Sequence, residues 1–149
     1  MPEGSLMEHL GPLRAGLEDV ADLQKAPGMA AYMKDRFPFM GCDAKSRRAV
    51  AKPVLAAGRG RDPDELLDFA DECWRQRERE FQYVGMDLLR KYAKAFAPEH
   101  LPRVEGLIRT KSWWDTVDSL AAWTVGPMVA NHPELSLVMD RWIDDDDFW

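Results

Sequence analysis

The sequence predicts an all-α protein built from antiparallel helix pairs. Apolar residues recur at three- and four-residue steps along most of the chain, which is the spacing of one face of an α-helix. No segment shows the alternation of apolar and polar residues that is typical of a half-buried strand. Proline and glycine divide the chain into helices of roughly 10–20 residues with short connections, which favour antiparallel neighbours. An α-solenoid or an irregular bundle fits this pattern.

Length and composition indicate one soluble globular domain. The 149 residues are enough for a single helical-repeat domain, in which residues 1–5 resemble a disordered leader. No apolar run approaches the ~20 residues that span a bilayer, so no membrane association is predicted. The two isolated cysteines indicate a reducing compartment, which favours a cytoplasmic protein. The three histidines share no helical repeat, so no metal site is predicted, and the net charge of −6 still permits a local basic face.

The first part of the chain predicts two helices. Apolar periodicity indicates a helix from Leu6 to about Lys25, which includes Leu23, and Pro12 marks an early kink or a late start. After a proline and a glycine, a short helix is expected from Met29 to about Arg36, and it carries Tyr32.

The third helix is predicted from about Ala44 to Ala57. Asp43 is a possible N-cap, and Pro53 predicts a kink or a split into two pieces. This helix opens a basic stretch with no acidic residue, formed by Lys45, Arg47, Arg48, Lys52, Arg59 and Arg61. A solvated face usually explains such a run, and a phosphate-contacting face is the functional alternative.

Asp62-Pro63 is the clearest helix start in the chain, with aspartate as cap and proline at the first helical position. The helix that follows has one apolar side, made of Leu66, Leu67, Ala70, Cys73 and Trp74. A charged turn from Arg75 to Arg79 precedes the next helix, which runs from Phe81 to near Phe96.

Three further helices complete the prediction. Pro98 opens the first, a helix over 113–130 is interrupted around Gly126-Pro127, and Pro133 opens the last. The cap-like run Asp144–Asp147 and the apolar pair Phe148-Trp149 are typical of the start of another helix. We therefore expect this chain to be the N-terminal portion of a longer solenoid.

The stretch from Thr110 to Ser119 combines tryptophans, carboxylates and basic residues. Ser112 is a plausible N-cap, and Asp115 lies three positions later, where it can reach back to the cap N–H group. Trp114 and Asp118 are spaced i, i+4, so they share a helix face. Spacing alone favours a core tryptophan beside a solvated aspartate, and a binding-site pair is the alternative.

Five segments carry a resemblance to a known family: Met29–Lys34, Phe39–Gly41 with Arg47-Arg48, Arg77–Gln82, Thr110–Asp118 and His132–Leu135. In this order and spacing they resemble the AlkD-type DNA alkylation repair glycosylases, along nearly the whole chain from about residue 7. The resemblance implies a HEAT-like α-solenoid, an α-α superhelix whose concave face cradles duplex DNA. It also implies hydrolysis of the N-glycosidic bond of purines alkylated at N3 or N7, without extrusion of the base into a pocket.

The resemblance assigns roles to individual residues. Asp118 would be the catalytic carboxylate, Trp114 a wall against the lesion sugar, and Tyr32 a neighbour of the DNA backbone. Neither a metal nor an organic cofactor is implied, and a nucleoid-associated protein is expected. The basic side chains expected on DNA are Lys34, Arg47, Arg48 and Lys111.

The chain also departs from the family pattern. The family fold continues for several more helices, which carry a second tryptophan wall and an arginine that holds DNA. Further helices or a partner would therefore complete the cleft. Asp43-Ala44-Lys45 replaces a threonine-proline helix start, and the charge is acidic where DNA-binding members tend to be basic. A non-catalytic DNA-binding module and a protein-interaction scaffold remain as alternative functions.

Overall fold

The computed structural model describes residues 4–147, and every regular element in that range is helical. The α-helices are α1 (Leu10–Val20), α2 (Ala26–Tyr32), α3 (Ala44–Ala57), α4 (Pro63–Arg75), α5 (Arg79–Lys91), α6 (Leu101–Arg109), α7 (Trp114–Leu120), α8 (Gly126–Asn131) and α9 (Ser136–Ile143). Short 3₁₀ turns flank α1, α5, α6 and α9. The predicted all-α fold is confirmed. Among the described residues, no helix is long and apolar enough to cross a membrane.

The helices pack in two layers. The outer layer contains α1, α4 and α6, side by side in that order, and the 3₁₀ turn before α1 makes the contact to α4. The inner layer contains α3, α5 and α7, also in order. Each outer helix packs on an inner one: α1 on α3, α4 on α5, and α6 on α7. This arrangement of stacked helix pairs is a helical-repeat fold.

The core lies between the two layers. The predicted apolar side of α4 is confirmed, because all of its members are buried. They meet fully buried residues of α1 and α5, among them Leu17, Phe81, Val84 and Leu88. Burial of each such side chain contributes about 1.5–3 kcal/mol, and it fixes the inner helices against the outer ones.

Both predicted aspartate caps in the first half of the chain are confirmed. The Asp43 carboxylate accepts from the Ser46 N–H at 2.8 Å, and the Asp62 carboxylate accepts from the Asp64 N–H at 2.8 Å. The predicted split at Pro53 is wrong, because α3 is one continuous helix with Pro53 inside it. Pro53 and Ala49, the residue whose carbonyl loses its amide partner, are both exposed, so water can replace the missing bond.

The first two helices end earlier than predicted. Helix α1 stops at Val20, and the Asp22 N–H then donates to the Gly41 carbonyl at 3.0 Å, which leaves Leu23 in solvent. Helix α2 stops at Tyr32 because Lys34 and Asp35 adopt positive φ angles of 59° and 55°.

Both chain ends were part of the predictions. Ser5 caps the 3₁₀ turn before α1, and the Gly4 carbonyl accepts from Arg61 at 2.8 Å, so these two residues of the predicted leader are held in place. Residues 1–3 of that leader, and the predicted helix opening at residues 148–149, lie outside the described residues.

The predicted interruption of the helix over 113–130 lies earlier than expected. A π-helical turn, Ala121–Val125, joins α7 to α8, and the Gly126 N–H donates to the Ala121 carbonyl, five residues back. Pro127 has no N–H group to offer the Trp123 carbonyl, which an α-helix would require. The π turn therefore accommodates the proline.

Candidate functional site

A buried ion pair anchors the first turn of α7 to the start of α5. The fully buried Arg79 donates to both carboxylate oxygens of Asp115, from Nη2 at 2.6 Å and from Nε at 3.1 Å. It also donates to the Lys111 carbonyl at 2.9 Å and to the Thr116 hydroxyl at 3.1 Å. The Tyr83 hydroxyl donates to Asp115 at 2.6 Å. The two buried charges are therefore paired and amply hydrogen-bonded, which their desolvation requires.

The predicted cap of α7 is wrong for both Ser112 and Asp115. Trp113, and not Ser112, occupies the N-cap position, and the Asp115 carboxylate accepts from the Thr116 N–H at 2.8 Å rather than from the N–H of Ser112. The Ser112 hydroxyl instead donates to the Ile108 carbonyl. Asp115 pairs with Arg79 because an unpaired buried guanidinium costs several kcal/mol, whereas a side-chain cap contributes only about 1 kcal/mol.

Aromatic rings surround the two buried arginines of the inner layer. The Arg79 guanidinium carbon lies 3.7 Å from the Phe37 ring centroid, and that of Arg47 lies 4.8 Å from the Tyr83 ring centroid. Burial and the adjacent Asp115 carboxylate raise the pKa of Tyr83 above its ordinary value, so the phenol remains a hydrogen-bond donor.

The paired arginines of the basic stretch are placed differently. Arg48 is exposed, but Arg47 is buried and lies 3.9 Å from the Asp87 carboxylate. The reason is helical spacing, because Arg47 shares the inward side of α3 with Ala51 and Val54. The expectation that both arginines face solvent is therefore wrong for Arg47.

Trp114 and Asp118 lie on the exposed side of α7, and Trp114 meets Tyr32 of α2. The two rings pack edge to face, with centroids 6.2 Å apart and planes at 79°. Trp114 is 43% exposed, so the placement in the core that spacing favoured is wrong. Asp118 is exposed, and within residues 4–147 its carboxylate has neither a hydrogen bond nor an ion pair. The structure thus brings together three residues that the resemblance assigned to one site.

The two predicted DNA-binding lysines differ in their surroundings. Lys34 is exposed at the end of α2, next to Tyr32. The Lys111 ammonium donates to the Gln76 carbonyl at 2.8 Å, and burial together with the charge of Arg79 lowers its pKa. Lys111 also has a positive φ of 53°, which turns the chain into α7. Lys111 therefore holds the base of the α7 turn.

Glu80 is the main positioning residue that the sequence analysis missed. Its fully buried carboxylate accepts from the N–H groups of Met40, Gly41 and Cys42, at 2.9–3.1 Å. Arg79 and Glu80 therefore connect the start of α5 to both α7 and the segment after α2. The segment Arg77–Gln82, which carries part of the family resemblance, was the available signal, although the pattern predicted only a charged turn from Arg75 to Arg79.

Comparison with known proteins places the chain in a family. The family described as DNA alkylation repair enzyme matches residues 13–149, and the chain belongs to it. This confirms the resemblance to AlkD-type DNA alkylation repair proteins. No curated protein matches the chain.

A solved structure supports the same assignment. It is described as a predicted DNA alkylation repair enzyme from Enterococcus faecalis, is 30% identical and has a TM-score of 0.71. The similarity covers 77% of this chain and 54% of that one. The present chain therefore spans about half the length of the similar protein.

No three His, Cys, Asp or Glu residues among those described are grouped so as to hold a metal ion.

Proposed function

We propose that the protein hydrolyses the N-glycosidic bond of purines alkylated at N3 or N7 in duplex DNA. One observation carries the proposal: Asp118 presents an exposed carboxylate, unpaired within the described residues, one helical turn from the Trp114–Tyr32 contact. The rings of Trp114 and Tyr32 form what we call the aromatic edge. A solvated carboxylate beside this edge is suited to stabilise a cationic sugar, and membership in the DNA alkylation repair family supports DNA as the substrate.

The chemistry requires little beyond these side chains. A purine alkylated at N3 or N7 is positively charged, so it departs without strong general-acid assistance. The remaining barrier is the oxocarbenium-like sugar, which a carboxylate stabilises by its charge while it orients the attacking water. The Trp114 indole attracts the same cationic character and excludes bulk water.

The buried Arg79–Asp115 ion pair fixes the helix turn that carries the proposed site. Arg79 holds Asp115 in the first turn of α7, and that turn also carries Trp114 and leads to Asp118. A reacting group held by a rigid network does not have to reorganise during the reaction. In this proposal Arg79 and Asp115 are positioning residues, and Asp118 and Trp114 touch the substrate.

The remaining predicted contacts define how the DNA lies. Tyr32, whose ring contacts Trp114, lies beside the DNA backbone, and the exposed Lys34 and Arg48 bind phosphates. Arg47 acts through Tyr83 and Asp87, on which it packs. Lys111 acts through the chain turn that it fixes rather than as a free charge.

The test is release of methylated purine from an alkylated duplex, followed by chromatography. We expect Asp118→Asn to lower the single-turnover rate by about 100-fold, the magnitude of losing one electrostatic group in an active site. Asp140→Asn, which removes an exposed carboxylate on α9, is the matched control and should retain the wild-type rate. Absence of base release by the wild-type protein, or identical rates for the wild type and Asp118→Asn, would refute the proposed catalysis. Lesion-independent DNA binding without release would favour a non-catalytic module.

A further inference from the structure

Arginines of the outer layer are neutralised by carboxylates. Arg103 of α6 donates to Asp68 and Asp71 of α4 at 2.8 and 2.7 Å, and Arg109 donates to Asp145 at 2.7 Å. These pairs hold neighbouring helices together. They also neutralise the charges of Arg103 and Arg109.

Two exposed arginines of the inner layer differ from these and from the buried, paired Arg47 and Arg79. Arg48 on α3 and Arg90 on α5 are exposed, and within residues 4–147 neither forms a hydrogen bond or an ion pair. Both act electrostatically on Asp87, which already lies 3.9 Å from Arg47. Arg47, Arg48 and Arg90 thus all act on one partly buried carboxylate, so these four groups together carry a net positive charge although the chain is acidic.

Arg90 also stacks on a tryptophan that the proposed mechanism does not use. Its guanidinium carbon lies 4.1 Å from the ring centroid of Trp123, which belongs to the π turn and is 50% exposed. A cation over an indole face is attracted by the ring, and within residues 4–147 the Arg90 guanidinium forms no hydrogen bond, so its N–H donors stay available for an anion. The stack therefore orients an anion-binding group.

Arg90 lies on the same side of α5 as the proposed site. Tyr83, Asp87 and Arg90 are spaced i, i+4 and i+7, so they share one helix face. At one end of this face Tyr83 contacts Asp115, in the first turn of α7, and at the other end Arg90 contacts Trp123. The Arg90–Trp123 contact therefore lies further along the junction of α5 with α7 and the π turn, and the first turn of α7 at this junction carries Trp114 and leads to Asp118.

We propose that Arg48, Arg90 and Trp123 form a second contact to duplex DNA, along the inner layer beyond the aromatic edge. Arg48 and Arg90 bind phosphate oxygens of the backbone, and the exposed part of the Trp123 ring packs on an adjacent deoxyribose. Positive charge and a position along the same junction as the proposed site identify the phosphodiester backbone as the ligand. The inference rests on the proposed function for its ligand, although it requires binding and no catalysis.

The test is binding of a fluorescein-labelled, undamaged duplex, measured by anisotropy across a salt series. We expect Arg90→Gln to weaken binding by about ten-fold and to reduce the slope of log K against log salt by about 0.9, the value for one lost phosphate contact. Arg75→Gln is the matched control, since it removes the same charge from α4, where Arg75 pairs with Glu72 at 2.8 Å. The control should retain both the wild-type affinity and the slope.

A second variant tests the indole. Trp123→Leu keeps the arginine charge, so affinity should fall several-fold while the salt slope stays near the wild-type value. Both residues are exposed, and a thermal melt verifies that each variant is folded. Arg90→Gln with unchanged affinity and slope, in a protein that binds DNA, would overturn this second contact alone. Wild-type protein that binds DNA without releasing bases would refute the glycosylase yet leave the contact to be judged by its variants. Wild-type protein that binds no DNA would overturn both.

Discussion

Asp115 and Asp118 lie three residues apart on the same helix, and their surroundings differ completely. Asp115 accepts hydrogen bonds from Arg79, Tyr83 and its neighbour Thr116, whereas Asp118 is exposed and unpaired within residues 4–147. A carboxylate with every lone pair engaged suits a structural role. A carboxylate without partners is available to a ligand.

The first prediction concerns Asp115. Asp115→Asn removes the charge that compensates the fully buried Arg79, so we expect the free energy of unfolding to fall by about 3–5 kcal/mol. Urea denaturation followed by circular dichroism measures this loss. Asp118→Asn is the internal comparison and should change stability by at most about 0.5 kcal/mol. Equal stability of the two variants would contradict the assignment of separate roles.

At the scale of helices, the sequence correctly predicted the features that depend only on neighbouring residues, such as capped helix starts. The starts of α3 and α4 follow from Asp43 and from Asp62-Pro63, since a cap requires only its own turn. The end of α2 does not follow, because it depends on positive φ angles at Lys34 and Asp35 that no glycine announces. The interruption predicted around Gly126-Pro127 takes the form of a π turn over Ala121–Val125, which the proline alone did not specify.

The start of α5 shows a different limit of the sequence. Arg79 lies in the charged turn that the sequence predicts from Arg75 to Arg79, and Glu80 follows it directly, yet both side chains are fully buried. Their partners Asp115 and Met40 lie 36 and 40 residues away in the chain, so periodicity within the run could not reveal them. Burial of charge is decided by tertiary pairing, which a single sequence does not display.

The second prediction concerns the clamp formed by Glu80. Glu80→Gln replaces one carboxylate oxygen with an NH₂ group, which cannot accept a hydrogen bond, and it removes the negative charge that strengthens the bonds from the N–H groups of Met40, Gly41 and Cys42. We expect a loss of about 2–4 kcal/mol in the free energy of unfolding, with faster hydrogen exchange at those three amides. Glu99→Gln, at an exposed glutamate, is the control and should exchange like the wild type. Unchanged protection at the three amides would contradict the clamp.

The third prediction concerns Gly41, which lies in the same segment. Its φ is +94°, and a β-carbon at this position would stand 1.9 Å from the Asp22 carbonyl oxygen. Gly41→Ala should therefore destabilise the protein by more than about 3 kcal/mol, measured by thermal or urea unfolding. Gly106→Ala is the matched control, because a β-carbon there meets nothing within 4 Å and α6 should gain about 0.5–1 kcal/mol. Similar effects of the two substitutions would refute the steric argument.

At the scale of the whole molecule, the site is assembled from elements far apart in sequence. Trp114 and Asp118 could be paired from their spacing alone, because one helix carries both. The contact between Tyr32 and Trp114 required the fold, since α2 and α7 belong to different parts of the chain. The fold also decides which charges are paired: Arg103 pairs with Asp68, and Arg109 pairs with Asp145. The net charge of −6 does not reveal this distribution.

The last prediction concerns the pair that joins α1 to the start of α5. Arg14 donates to both carboxylate oxygens of Glu78, at 3.1 and 3.2 Å, and this bonding lowers the pKa of Glu78 below its ordinary value of 4.5. A carboxyl with a lower pKa in the folded state binds fewer protons there than in the unfolded chain. Its contribution to stability is therefore complete above pH 4.5 and is lost as the pH falls through the folded pKa.

Glu78→Gln makes this dependence measurable. Near pH 7 the variant should be less stable than the wild type by about 1 kcal/mol, which is reasonable for a partly buried, bidentate pair. The difference should stay constant above pH 5 and shrink toward zero as the pH falls to about 2, because protonation then removes the same interaction from the wild type. Urea titrations of both proteins at each pH give the difference directly. A difference that is independent of pH would show that Glu78 stabilises the junction by packing, and that the ion pair between α1 and the start of α5 contributes nothing.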